Sequence, residues 1–257
     1  MCDEEKTKEY DAEAESYEMP QGKGRKRSRL LIRAAALITL TIFIVYSFPD
    51  LSFFISQRFN FISENGSLVK DEIVKNCRPG VVYVEAVDTN GNAKQGTGFN
   101  ISSEGVIITN KHVIRDAAVV TVKFSDGRKF YSKDFTLDND NDIGVVRIKG
   151  NDLPLININN ENDPKKGDTV TVIGNPLGYS RISQRGSIGD VVFDTGNFAP
   201  VYEINIKVNP GNSGSPVIDS SSKVVGIVFA SMDNKALAIS ARYIKVEKIK
   251  GSEGNGR

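Results

Sequence analysis

From Ser67 onward the chain alternates short apolar runs with turn-forming residues. The runs are rich in Val and Ile, and Gly, Asn, Asp and Pro separate them, which is typical of an all-β protein. One amphipathic helix, Leu68 to Asn76, is predicted to precede the strands. A first set of six strands is predicted at Val81–Ala86, Gly96–Ile101, Val106–Thr109, Val119–Phe124, Lys129–Phe135 and Ile143–Ile148.

A second set of similar size follows, and a helix from Ala241 to Lys250 could close the domain. Its strands are predicted at Leu155–Ile158, Thr169–Ile173, Ser187–Phe193, Tyr202–Val208, Pro216–Ile218 with Val224–Ala230, and Ala236–Ser240. Closed barrels remove exposed strand edges. Two such sets therefore predict a double six-stranded β-barrel in residues 67–250, followed by a flexible C-terminus in 251–257.

The N-terminal quarter has a different pattern. Residues 1–29 are polar, acidic at first and then basic, and predict a disordered cytoplasmic tail. Residues 30–49 are mostly apolar and predict a transmembrane signal anchor, in which Arg33 can snorkel to the headgroups. Because the basic cluster precedes this helix, the N-terminus should stay in the cytoplasm and the rest of the chain should be exported.

Other interpretations of the apolar stretch stay open. Val45 and Ser47 would suit a signal peptidase, although the preceding polar region is long for a cleaved signal peptide. A buried core helix would not explain the adjoining cationic run. Residues 50–66 predict a juxtamembrane linker with one apolar helical face, which could lie on the membrane, form an aromatic belt or pack against a neighbouring subunit. That face consists of Leu51, Phe54, Ile55, Phe59 and Ile62.

Composition narrows the possible functions. The chain has 33 basic and 32 acidic residues among 257, so the overall charge gives no reason to expect a nucleic-acid partner. Cys2 and Cys77 are predicted to lie on opposite sides of the membrane and should not pair. Two separated cysteines and one histidine cannot form the usual zinc sites, and no metal or cofactor is predicted. A fold without disulfides favours a bacterial origin.

The segment Asn209 to Pro216 has the composition of a nucleophile loop. Its serine, Ser213, is flanked by glycines that permit a sharp turn and let backbone amides approach a developing oxyanion. The amides of Gly211 and Ser213 are the predicted oxyanion donors. A glycine-serine loop by itself is most often only a turn, so the interpretation requires a base.

The base and its partner are predicted at the ends of strands. His112 is the chain's only imidazole and follows an apolar strand, and serine needs such a base for attack. Asp142 directly precedes the apolar run from Ile143 and is the predicted carboxylate that orients the imidazole. Asp138 and Asp140 are the rivals, although they suit a solvated turn.

These motifs resemble the HtrA (DegP-like) family of trypsin-like serine proteases. The similarity lies in GTGFNISSEGVIITNKHVI from Gly96, DNDIGVVRI from Asp140, GNPLG from Gly174 and NPGNSGSP from Asn209. The order His, Asp, Ser is that of the chymotrypsin type. The resemblance implies a chymotrypsin-type double barrel that holds His112, Asp142 and Ser213 in its cleft, with unfolded or exported polypeptides as substrates.

The chain also departs from that family. HtrA proteases commonly carry a PDZ domain after the protease, and this sequence ends about where one would begin, so none is expected within it. Ser215 replaces a usual glycine. The resemblance implies trimers as a frequent assembly, to which Phe53–Phe61 could contribute, and a loop at Asp194–Pro200 that rearranges between inactive and active states.

The specificity pocket is predicted from the spacing to Ser213. Lys207 and Val208 should lie near it, and its other walls are predicted at Val228–Ser231 and Leu237–Ile239, with Val228 and Ala238 as lining residues. Aliphatic walls indicate cleavage after small or medium aliphatic residues. A Lys207 ammonium inside the pocket would instead favour acidic residues, whereas on an alternating strand Lys207 would point to solvent.

The leading hypothesis is a membrane-anchored serine endopeptidase that processes or degrades exported proteins at a bacterial cell membrane. The alternative is a catalytically silent protease fold that binds exported polypeptides or regulates another protease. A purely structural membrane-anchored β domain would make the three motifs coincidental.

Overall fold

The computed structural model describes residues 32, 33, 36, 38, 39, 66–176, 181–193 and 199–244. The predicted tail, the linker up to residue 65, the C-terminus and most of the predicted anchor lie outside these residues, as do the segment Phe53–Phe61 and most of the loop Asp194–Pro200. The chain divides into two units, Met1–Gln57 and Arg58–Arg257. Across the described positions, no helix is long and apolar enough to cross a membrane.

The first half of the larger unit is a half-barrel of antiparallel strands. Its strand order is β5-β4-β1-β2-β3-β7-β6. The strands are β1 (Val81–Val87), β2 (Ala93–Asn100), β3 (Val106–Thr109), β4 (Val119–Lys123), β5 (Lys129–Ser132), β6 (Phe135–Leu137) and β7 (Gly144–Arg147). Their alternating apolar residues enclose a cluster around Val84, Ile107 and Phe124.

The second half is a closed barrel of six strands in the order β10-β13-β12-β11-β8-β9, with β9 pairing back onto β10. The strands are β8 (Thr169–Gly174), β9 (Ile182–Phe193), β10 (Val201–Ile204), β11 (Pro216–Ile218), β12 (Val224–Met232) and β13 (Lys235–Ser240). The predicted all-β class and the closed second barrel are confirmed.

Three details of the prediction are wrong. The expected single strand Lys129–Phe135 is split into β5 and β6, because the Ser132 hydroxyl turns back to accept from the Asp134 amide and donates to the Arg147 carbonyl. The first set therefore has seven described strands and forms a half-barrel instead of a closed six-stranded barrel. The expected strand Leu155–Ile158 forms only one bridge, from Ile158 to Val224.

A shared core joins the two halves. One apolar cluster takes Val81, Phe99 and Ile108 from the half-barrel and Ile218 and Ile227 from the closed barrel, and all five side chains are fully buried. Burial of a side chain of this size contributes about 1.5–3 kcal/mol. This cluster fixes the two halves against each other and thereby sets the position of the cleft.

Helix α1 (Glu72–Cys77) begins later than the predicted helix. Asp71 is its N-cap and accepts hydrogen bonds from the amides of Ile73 and Val74, an interaction typically worth about 1 kcal/mol. The same carboxylate lies 2.9 Å from Arg185 on β9, and that hydrogen bond lowers the pKa of Asp71. One side chain thus starts the helix and ties it to the second barrel.

Cys77 is expected to be nearly inert towards thiol reagents in the folded protein. Its side chain is 2% exposed, and burial raises its pKa to about 11. Because the thiolate is the reactive form, at pH 8 this pKa alone lowers the reactive fraction by roughly 100-fold. In a Cys2→Ser background, reaction with a disulfide reagent should be slow in buffer and fast in urea. Equal rates would contradict the burial of this thiol.

Candidate active site

His112 and Asp142 contact each other at two points. The Nδ1 atom of the His112 ring lies 2.6 Å from Asp142 Oδ2, and the backbone amide of His112 donates to Asp142 Oδ1 at 2.9 Å. The His112 side chain is 42% exposed and that of Asp142 is 26% exposed. With Nδ1–H directed at the carboxylate, the Nε2 atom is left as the basic nitrogen.

Local structure fixes both residues. Helix α2 (Lys111–Ile114) is a single turn that starts directly after β3 and carries His112. Asn110, which is fully buried, donates from Nδ2 to the carbonyl of Asp142 at 2.9 Å. Lys111 donates from Nζ to the carbonyl of Asp138 at 2.7 Å. The acidic loop is therefore held against the helical turn at both of its ends.

The rival carboxylate of Asp138 stabilises the turn that precedes Asp142. Its Oδ1 atom accepts from the amides of Asp140 and Asn141 at 2.8 Å each, as expected for a turn-forming Asp. Asp140 is exposed. Of the three carboxylates in this loop, Asp142 is the one whose hydrogen bond reaches the imidazole.

The loop that carries Ser213 depends on two glycines with positive φ. Gly211 has φ +98° and Gly214 has φ +86°, a region that favours glycine. A Cβ atom on Gly211 would lie 3.3 Å from the Asn175 carbonyl carbon, and one on Gly214 would lie 2.7 Å from Thr109 Oγ1. The predicted sharp turn around Ser213 is present.

The backbone amides of this loop differ in whether they have a backbone acceptor. The amides of Asn212, Gly214 and Ser215 donate to the carbonyls of Asn209, Val228 and Asn212. Within the described part of the chain, the amides of Gly211 and Ser213 have no backbone acceptor. These are the two predicted oxyanion donors, and their role stays a prediction.

Gly96 on β2 brings the two halves of the site together. A Cβ atom added there would meet both the Ser213 carbonyl oxygen and Val113 Cγ2 at 3.0 Å. Val113 directly follows His112, so the His112 turn and the Ser213 loop lie against the same glycine. Any larger residue at position 96 would push one of them away.

Ser215, where the resembled family has glycine, is fully buried. A Cβ atom on Gly174 would overlap the Ser215 hydroxyl and the side-chain amide oxygen of Asn212. The extra hydroxymethyl group is therefore accommodated because residue 174 has no side chain.

The predicted specificity residues lie in different environments. Val228 and Ala238 are each 1% exposed and belong to the interior cluster of the closed barrel, against which Val208 packs. Lys207 is exposed, and its carbonyl accepts from Gln184 at 3.1 Å. Their role in selecting substrates stays a prediction.

A cavity of about 350 Å³ lies beside Asp142, on the outer face of the closed barrel. Leu237 lines it because this residue alternates with the buried Ala238 along β13, and Phe229 lies at the irregularity of the β12–β13 pairing between Val228 and Ala230. The apolar lining consists of Val192, Ala199, Val201, Phe229, Leu237 and Ile239. The acidic loop, through Asp140, Asn141 and Asp142, forms the other wall.

Three buried polar residues that organise the site are not among the site residues predicted from the sequence. They are Thr97, Asn110 and Asn175, which are at most 2% exposed. Asn175 donates from Nδ2 to the Val82 carbonyl at 3.0 Å and accepts from the amide of Arg181. All three lie within the motifs that carry the family resemblance, Thr97 and Asn110 in the run from Gly96 and Asn175 in the run from Gly174. These motifs were the available signal.

Comparisons with known proteins agree with this arrangement. The family described as "Trypsin-like peptidase domain" matches residues 96–227, about half of the chain. A relative from Pseudomonas fluorescens, named "Probable periplasmic serine endoprotease DegP-like", is 34% identical over 134 residues, which are 51% of this chain and 28% of the relative. The chain thus spans less than a third of the length of that relative.

Solved structures show the same fold. A serine endoprotease from Yersinia pestis is 30% identical with a TM-score of 0.58, over 65% of this chain and 61% of the other. A protease from M. tuberculosis in its active form is 25% identical with a TM-score of 0.65, over 74% of this chain and 89% of the other. The chain therefore belongs to the trypsin-like peptidase domain family, and the resemblance to HtrA (DegP-like) proteases seen in its motifs is confirmed.

Proposed function

We propose that this protein is a serine endopeptidase in which His112, Asp142 and Ser213 form the catalytic triad. The two-point contact between Asp142 and His112 carries the proposal, because it fixes both the ring orientation and the proton on Nδ1. A binding module has no need for an imidazole held in this way. The silent-fold alternative therefore has less support.

In the proposed mechanism His112 Nε2 removes the proton from the Ser213 hydroxyl as its oxygen attacks a peptide carbonyl. The carbonyl oxygen becomes an oxyanion and accepts hydrogen bonds from the amides of Gly211 and Ser213. The imidazolium, stabilised by Asp142, then protonates the leaving amine and the C–N bond breaks. Water hydrolyses the acyl-enzyme by the same sequence and restores Ser213.

Polypeptides are the proposed substrate class. The Pseudomonas fluorescens relative is named as an endoprotease, and the apolar cavity beside Asp142 could hold an aliphatic or aromatic side chain. We further propose that the enzyme acts outside the cytoplasm of a bacterium, tethered by residues 30–49. The basic run followed by an apolar stretch supports the tether, and the periplasmic naming of the relative supports the compartment.

A fluorophosphonate probe tests the proposed chemistry directly. Ser213 Oγ should attack the phosphorus, fluoride should leave, and the folded protein should be labelled with one probe per chain. Ser213→Ala should abolish labelling because the attacking oxygen is absent. Labelling is measured by mass spectrometry of the intact protein, and the modified residue is mapped by peptide fragmentation.

The control is Ser221→Ala, which removes an exposed hydroxyl from the turn between β11 and β12. It should label at the rate of the wild-type protein. A folded wild-type protein that the probe does not label would remove the basis for the endopeptidase assignment. Labelling at a residue other than Ser213 would refute the proposed nucleophile.

A further inference from the structure

Thr97 joins the half-barrel to the nucleophile loop. It lies on β2 and is fully buried. Its amide donates to the carbonyl of Ser213 at 2.8 Å, and its hydroxyl donates to the carbonyl of Gly211 at 2.7 Å. One residue of the first half therefore holds the two carbonyls on either side of Asn212.

The threonine is itself held in place. Its Oγ1 accepts from the amide of Asn175 at 2.9 Å, and its carbonyl accepts from Thr109 Oγ1 at 2.7 Å. The Thr97 hydroxyl oxygen accepts a hydrogen bond from Asn175, so its proton is free to be donated to the Gly211 carbonyl. The direction of the hydrogen bond between Thr97 and Gly211 is therefore fixed. A buried network in which every member is satisfied keeps one geometry.

The hydrogen bond from Thr97 Oγ1 is important because its acceptor is the carbonyl of a glycine, Gly211. Gly211 has φ +98°, and glycine adopts both positive and negative φ with little cost. Without an anchor, both peptide planes that meet at this glycine could rotate, and its amide could turn away from the substrate. The hydrogen bond from Thr97 fixes the plane that follows Gly211 and so limits the rotation left to the Gly211 amide. The amides of Gly211 and Ser213 have no backbone acceptor among the residues described.

We propose that Thr97 is a positioning residue that holds the oxyanion-binding conformation of the Gly211–Ser213 loop. It touches neither the substrate nor the reacting atoms and acts through the backbone of this loop. The inference rests on the proposed endopeptidase function and adds to it a second structural requirement, located in the half-barrel more than 100 residues before the nucleophile. The Thr97 hydroxyl and the Gly211 carbonyl are 114 positions apart in sequence.

The test compares Thr97→Val, which removes the hydroxyl at nearly constant shape, with Thr97→Ser, which keeps it. The substrate is a fluorogenic peptide carrying a cleavage site mapped in unfolded casein. Thr97→Val should lower kcat roughly 10- to 100-fold with KM changed by less than about threefold, because oxyanion donors act mainly in the transition state. Thr97→Ser should stay within about threefold of the wild type.

Affinity for a peptide boronic acid provides a readout that lost stability alone would not change. This inhibitor forms a tetrahedral adduct on the nucleophile, so its inhibition constant should rise in parallel with the fall in kcat/KM. Thr121→Val is the matched control. It removes another buried threonine hydroxyl from the same sheet, on β4, and should affect thermal unfolding without affecting either constant.

The possible failures are distinguishable. A wild-type protein that neither cleaves casein nor binds the boronic acid would defeat the proposed function, and the role of Thr97 with it. An active wild type together with a fully active Thr97→Val would overturn only the positioning role. If Thr97→Val does not fold, Thr97→Ala makes the same comparison without placing a methyl group against the Gly211 carbonyl, and full activity in that variant would equally overturn the role.

Discussion

Replacing Asp142 by asparagine should lower kcat by about 10⁴-fold, with a loss of no more than about 2 kcal/mol in the free energy of unfolding. Asp142 accepts two hydrogen bonds, one from the His112 amide and one from the ring nitrogen Nδ1. An asparagine side chain has only one oxygen. If that oxygen keeps the backbone amide, the NH₂ group faces Nδ1 and the ring must carry its proton on Nε2, where it cannot accept the proton of Ser213.

The control for this prediction is Asp140→Asn, two residues away in the same loop. Asp140 is exposed, and no hydrogen bond of its carboxylate to His112 is present in the described structure. Asp140 also lines the cavity beside Asp142, so any effect of this change on substrate binding should appear in KM, whereas kcat should stay within about threefold of the wild type. Steady-state cleavage of the casein-derived peptide measures both variants. Similar losses in the two would indicate a general electrostatic effect and would refute the assignment of Asp142 as the orienting carboxylate.

The all-β class could be predicted because it depends on local alternation and turn chemistry. Barrel closure depends on how distant edges meet, so the prediction of two closed barrels is right for the second half of the domain and wrong for the first. The split at Ser132 is an example: its hydroxyl bonds to the carbonyl of Arg147, which lies on another strand. The strand pattern of a sequence shows which residues alternate between the two faces of a sheet, but it does not show which strand edges pair.

The candidate site also contains residues that motifs predict and residues that only long-range contacts reveal. Motif spacing predicts that His112, Asp142 and Ser213 lie in one cleft. The structure brings the His112 and Asp142 side chains into contact, and a contact between His112 and Ser213 stays a prediction. Thr97 lies in the motif that begins at Gly96, but the motif does not show why it is important, because its role arises from contacts with Asn175 and Gly211, which are distant in sequence. In a sequence, a threonine with a buried hydroxyl looks like any other strand residue until the hydrogen-bond partners of the hydroxyl are known.

Gly214→Ala should destabilise the protein by about 2–5 kcal/mol and abolish peptide cleavage. Backbone strain and a steric collision both contribute to this loss of stability. Gly214 has φ +86°, which strains any residue with a side chain. A Cβ atom would also overlap the carbonyl oxygen of Thr97 and lie 2.7 Å from Thr109 Oγ1. The loop that carries Ser213 would have to move away from β2, so the nucleophile would lose its position even in molecules that still fold.

Gly127→Ala separates the two terms. Gly127, in the turn between β4 and β5, has φ +92°, and a Cβ atom there would meet nothing within 4 Å. This variant retains the backbone strain without the collision, so it should cost about 1 kcal/mol and leave cleavage unchanged. Urea unfolding of both variants measures the difference, which isolates the steric term at Gly214. Equal costs would mean that the loop relaxes freely around a methyl group, and the close contact between the nucleophile loop and Thr97 would then be too loose to position Ser213.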